Sequence, residues 1–109
     1  MKRTLALFAF IAAIFTGLLL AQDSSVDTSK IESLYAKNCA MCHGKNLDGG
    51  PLAGSLIDDE WTYGNSRESV IEVIANGRPD KAMPAWKEKM TEEEIAAMAD
   101  WILNQAESN

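Results

Sequence analysis

A chain of 109 residues with 47% apolar and 24% charged side chains has the composition of one small folded domain and not of a disordered segment. Its formal charge of -6, from 10 basic and 16 acidic side chains, excludes the basic face that phosphate contacts require, so no nucleic-acid partner is expected and a charged protein partner should present a basic docking face. Two cysteines are too few for a disulfide scaffold, and the single histidine, His43, excludes any site that needs two imidazoles.

In chain order, Met1-Lys2-Arg3 followed by the uncharged run Leu5 to Ala21 has the basic start and apolar centre of an export signal, so the chain is expected outside the cytoplasm. Leu19 stands where a cleavage site prefers a small residue, which leaves two outcomes open: residues 1–21 are removed as a signal peptide, or they stay as an N-terminal anchor that contacts the membrane through 5–21. Residues 22–28 are polar and aperiodic, a flexible lead-in to a folded domain over 29–109.

Three stretches carry helical spacing, and none shows the alternation of a half-buried strand, so the domain is expected to be all-α. The first helix begins near Ser29, sets Ile31, Leu34, Tyr35 and Asn38 on one face, and runs into Cys39. A second starts from Ser66 as N-cap, continues through Val70, Ile71 and Ile74, and stops at Asn76-Gly77. The third follows Thr91 and Glu94, a capping box, with an inner stripe of Ile95, Met98, Ala99, Ile102 and Leu103 and Trp101 beside it. Glu92, Glu93 and Glu94 are accordingly helix-start chemistry and not a metal or acid-base site. Between the helices, 44–65 is rich in Gly, Asn and Asp, and 77–89 is interrupted by Pro79 and Pro84. Loops that long in so small a domain need a group to wrap around.

Cys39-Ala40-Met41-Cys42-His43 points to that group, because C-x-x-C-H is the attachment signature of c-type haem. Two thiols three residues apart on a helical turn reach two vinyl groups on one side of a porphyrin, and the adjacent imidazole becomes the proximal ligand of iron. A thioredoxin-like dithiol would follow a strand, and zinc would need further Cys or His ligands; neither condition is met. The distal ligand is sought among five methionines. Met1 belongs to the leader, Met41 lies inside the pentad, and Met98 is on the inner stripe of the third helix. Met83, on a loop bounded by prolines, is assigned, with Met90 held in reserve just before the Thr91 cap. Trp61, Tyr63 and Arg78 are candidate partners of the haem propionates and Trp86 a candidate ring contact, although burial of apolar area accounts equally well for the aromatic residues. Lys81 and Lys87 flank the distal loop and are candidates for docking an acidic partner, against the plainer reading that single surface lysines do nothing specific.

Over roughly residues 29–105 these motifs resemble class I cytochromes c, in particular the small monohaem bacterial ones and the haem c domains of terminal oxidases. Tyr35, four residues before Cys39, and Trp101 match the aromatic pair of the first and last helices; Gly50-Pro51-Leu52-Ala53-Gly54 matches the family's Gly-Pro-x-x-Gly; Asn76-Gly77-Arg78-Pro79 and Met83-Pro84-Ala85-Trp86 look like its distal loop. The resemblance implies a small cytochrome c fold, three to five helices wrapped around one covalently bound haem, with Met83 as sixth ligand and the Pro51 carbonyl accepting a hydrogen bond that fixes the His43 imidazole. A glycine usual in the first helix is Ile31 here, which implies a wider crossing of the terminal helices. The implied function is that of a monomeric periplasmic electron carrier between respiratory or dehydrogenase partners, not an enzyme, since six-coordinate iron has no open position. Two alternatives stand beside it: a membrane-tethered haem c subunit of an oxidase or dehydrogenase complex, and a haem sensor or peroxidase with a labile distal ligand.

Overall fold

The computed structural model describes residues 26–58 and 60–108, so the expectations for the leader and for most of the lead-in lie outside the described residues. Within them, four α-helices form: α1 (Thr28–Asn38), α2 (Ala40–His43), α3 (Arg67–Asn76) and α4 (Glu92–Glu107), with a 3-10 turn at Pro79–Lys81. Among the described residues extended pairing is limited to one isolated bridge, between Arg78 and Met83, and no helix is long and apolar enough to cross a membrane.

Each long helix starts where a short polar side chain can take up the orphan N–H groups of a first turn. The Asp27 carboxylate accepts from the Ser29 N–H at 3.2 Å, so α1 starts at Thr28, one position before the expected Ser29. Ser66 Oγ accepts from the Ser69 N–H at 3.1 Å, and α3 stops at Gly77, whose φ of 67° is costly for any side chain. The box at α4 closes in both directions: the Glu94 N–H donates to Thr91 Oγ1 and the Thr91 N–H to Glu94 Oε1, each at 3.0 Å. Glu94 also meets Lys30 Nζ at 2.9 Å, which joins the start of α4 to α1.

The core is built from Ile31 and Tyr35 of α1, Val70 and Ile74 of α3, and Ile95, Met98, Ala99 and Ile102 of α4, with Leu47 and Met90 arriving from the loops. Helix α4 is the hinge of the assembly, since it packs on both α1 and α3. Tyr35 and Trp101 meet with ring centroids 5.2 Å apart at an interplanar angle of 52°, a tilted arrangement that suits the ring quadrupoles. Ile31, which stands where the family commonly has glycine, is buried in this core.

Candidate haem site

The pentad is a continuation of α1. Cys39 N–H donates to Tyr35 O at 2.9 Å as the last bond of that helix, and Cys39 O then accepts from His43 N–H at 3.0 Å to open α2. One helical turn therefore carries Cys39, Cys42 and His43, all half-buried, and the two cysteines remain unpaired thiols. Burial, and secondarily Cys42, pushes the Cys39 thiol up to about 11, so before any bond is made it is protonated at neutral pH.

A tight loop holds this turn from below. Gly44, with φ of 88°, ends α2; a Cβ there would lie 2.5 Å from Gly49 O, so only glycine allows the chain to fold back so closely. Tyr35 OH donates to Gly44 O at 2.6 Å, and Gly49 N–H donates to His43 O at 2.7 Å. Gly50 lies against the backbone of Cys42, where a Cβ would come within 2.9 Å of its carbonyl oxygen. Leu47, buried with a positive φ of 64°, anchors the loop in the core, and nothing in its polar surroundings marks it in the sequence.

Burial lowers the His43 pKa and a contact with the Gly54 backbone partly opposes this, so the neutral imidazole that a metal ligand needs is favoured. That contact falls short of hydrogen-bond geometry: His43 Nδ1 is buried and has no hydrogen-bond partner among the described residues. The expected bond to the Pro51 carbonyl is thus not formed. Pro51 is exposed, on a turn that Gly50 N–H closes onto Ala53 O at 2.9 Å. A buried ring nitrogen without a polypeptide partner is uncommon, and on one turn with two free thiols it fits a site completed by a group that is not polypeptide.

On the distal side, α3 delivers the loop 77–90. A Cβ on Gly77 would lie 2.5 Å from the Pro84 carbonyl carbon and 2.6 Å from Met83 O, so the glycine lets the loop return directly over the end of α3. Arg78 and Met83 exchange both backbone hydrogen bonds, at 2.8 and 3.0 Å. Trp86 N–H and Lys87 N–H then donate to Ile74 O and Ala75 O, carbonyls left over at the end of α3. Met83 ends half-buried against the core. The other described methionines are placed differently: Met90 and Met98 are core residues at 5% and 1% exposure, while Met41 is 80% exposed.

The remaining candidates already have polypeptide partners. Trp61 Nε1 donates to Asp58 O at 3.1 Å. Arg78 pairs with Glu72 at 2.7 Å, donates to Gly77 O at 2.6 Å, and sits 4.4 Å above the Tyr63 ring. Trp86 packs against the core with Lys89 above its ring. Lys87 Nζ donates to Asn76 Oδ1 at 3.1 Å, and Lys81 is exposed. Sequence reasoning missed Glu72 as the partner of Arg78; the six-residue separation crosses the end of α3, where helical spacing no longer applies.

An all-helical domain with a thiol pair and imidazole on one turn and a thioether on a returning loop has the architecture of a c-type cytochrome. Residues 26–102 match the family model described as cytochrome c oxidase, cbb3-type, subunit III. The chain is 38% identical over 78 residues to the Cbb3-type cytochrome c oxidase subunit FixP of Bradyrhizobium sp. (strain ORS 278), which is 70% of this chain and 27% of that protein. It is 32% identical over 99 residues to cytochrome c55X of Stutzerimonas stutzeri, covering 91% of this chain and 84% of that one. Among solved structures, cytochrome c6 from the diatom Phaeodactylum tricornutum aligns with a TM-score of 0.62 and 28% identity, over 76% of this chain and 98% of that one. The chain thus spans about a quarter of the oxidase subunits and most of the small cytochromes. It belongs to this family of haem c domains. It is a monohaem c-type cytochrome domain, and its cofactor is haem c with iron, bound covalently.

Proposed function

We propose that the chain is a periplasmic single-electron carrier whose haem is anchored by Cys39 and Cys42 and whose iron takes His43 and Met83 as axial ligands. When bound, the haem supplies an iron that alternates between ferrous and ferric without bond changes in any substrate. The observation that carries the reading is the sorting of the methionines: Met83 alone of the four described is neither consumed by the core nor fully exposed, and its loop is bonded back onto α3. His43 contributes a neutral imidazole, which its partial burial favours. A thioether favours ferrous iron relative to a second imidazole, so a positive reduction potential is expected. With both axial positions held by protein, the domain is a carrier and not an enzyme, and its redox partners are expected to present a basic face to its acidic surface.

The test is a redox-titrated absorption spectrum of the matured protein. A low-spin ferric form with a methionine-to-iron charge-transfer band is expected; Met83→Ala should abolish the band and Met90→Leu should retain it. A high-spin ferric spectrum in the unaltered protein, or loss of the band in Met90→Leu alone, would overturn the assignment.

The likeness to FixP supports a second reading, in which the same domain is tethered as part of an oxidase or dehydrogenase complex. Membrane fractionation separates the two: a carrier with a removed leader is found in the soluble periplasmic fraction, and a tethered subunit in a carbonate-resistant pellet.

A further inference from the structure

Arg78 occupies an unusual crossing point. Its backbone brackets Met83 with two hydrogen bonds of 2.8 and 3.0 Å, while Lys81 N–H also donates to its carbonyl at 2.8 Å. The side chain is spoken for on three sides: Nη2 donates to Glu72 Oε1 on α3 at 2.7 Å, Nη1 donates to Gly77 O at 2.6 Å, and the guanidinium lies 4.4 Å above the Tyr63 ring from the preceding loop. Loop 61–65, helix α3 and the Met83 loop therefore converge on one residue. A planar guanidinium serves all three, because it can stack on a ring while its fork reaches a carboxylate and a carbonyl; a lysine ammonium cannot do both. Arg78 and Glu72 each shift toward their charged forms, with the mutual hydrogen bond as the largest cause, so the pair stays ionised across the neutral range.

We infer that Arg78 is the positioning residue of the distal ligand: the Glu72–Arg78–Tyr63 stack holds the Arg78 backbone in register with Met83 and so limits how far the thioether can leave the iron. This rests on the His43/Met83 reading above. It departs from a propionate role for Arg78, since a guanidinium engaged by a carboxylate, a carbonyl and a ring acts on the site through Met83.

The experiment titrates the ferric holoprotein with imidazole and follows loss of the methionine-to-iron band. Unfolding midpoints are measured separately for every variant. Arg78→Leu should raise imidazole affinity by about tenfold, the order expected for loss of one charge-assisted hydrogen bond. Glu72→Gln and Tyr63→Leu, both at exposed positions, should move affinity in the same direction. The double variant Glu72→Gln/Arg78→Leu should match Arg78→Leu alone, because the two residues act as one unit. Arg78→Lys should behave like Arg78→Leu, since it keeps the charge and loses the fork. The inference is overturned if Arg78→Leu leaves imidazole affinity unchanged, or if Arg78→Lys restores wild-type behaviour while Glu72→Gln and Tyr63→Leu are silent, which is the signature of a charge acting directly on the haem. A wild-type protein without the band, or a Met83→Ala variant that keeps it, instead overturns the ligand reading and this inference with it; an intact band that is insensitive to Arg78 overturns this inference alone.

Discussion

Tyr35 shows how much one side chain can link. Its ring faces Trp101 across the α1–α4 crossing, and its hydroxyl donates to Gly44 O, the residue that ends α2. Tyr35→Phe keeps the ring contact and removes the hydrogen bond, so a loss of about 1 kcal/mol in denaturant unfolding of the holoprotein is expected. The phenol pKa is raised above its usual value of 10.0, first by burial and then by Cys39 and Asp48. Because the folded state favours the neutral phenol, its contribution is complete below about pH 10 and is lost as pH rises toward the folded pKa. In the proposed holoprotein Cys39 would be a thioether without charge, which leaves burial as the principal cause. The alkaline fall in stability should therefore be shallower in Tyr35→Phe; identical alkaline limbs would show that the phenol does not titrate with unfolding. The aromatic pair was expected from the family resemblance, whereas the Gly44 carbonyl as its polar partner depends on a loop whose path no local pattern encodes.

Among the elements, α3 and α4 form where the capping residues Ser66 and Thr91 dictate, because an N-cap is a local contract between a side chain and an N–H two or three residues on. The start of α1 at Thr28 follows the same local rule, with Asp27 as the acceptor. Thr91→Ala should cost about 1 kcal/mol of stability without altering the visible spectrum, checked by parallel denaturation and absorption. Glu94 is held below the usual carboxylate range, first by Lys30 and then by the Thr91 backbone. A depressed folded pKa means the contribution is present above the ordinary value of 4.5 and disappears as pH falls, so Glu94→Gln should remove part of the acid limb of the stability profile. The irregular segments resisted sequence reading. The Arg78–Met83 bridge, the left-handed Ala82 at φ of 66° and the return of Trp86 onto Ile74 each pair residues whose partner is fixed by where α3 ends.

At the scale of the molecule, one short helical domain must enclose a large planar group with a core of few residues, and α4 carries that load by packing on both α1 and α3. A domain of this size gains only a small net stability from its own apolar burial. The covalent group is therefore expected to be part of the fold: Cys39→Ala/Cys42→Ala protein, which cannot be crosslinked to haem, should show a much broader and lower thermal transition than the holoprotein by circular dichroism. A sharp transition at the holoprotein's temperature would show that the polypeptide core suffices.

The sequence alone determined the helices with strong caps and the thiol-thiol-imidazole turn, because each depends on residues within one or two turns of each other and obeys a fixed helical period. Tertiary structure alone decided that Met90 is buried in the core, that His43 Nδ1 goes without a polypeptide partner, and that Arg78 engages Glu72 and Tyr63. Those outcomes follow from burial and from loop return paths, quantities set by the packing of distant segments and absent from any local pattern.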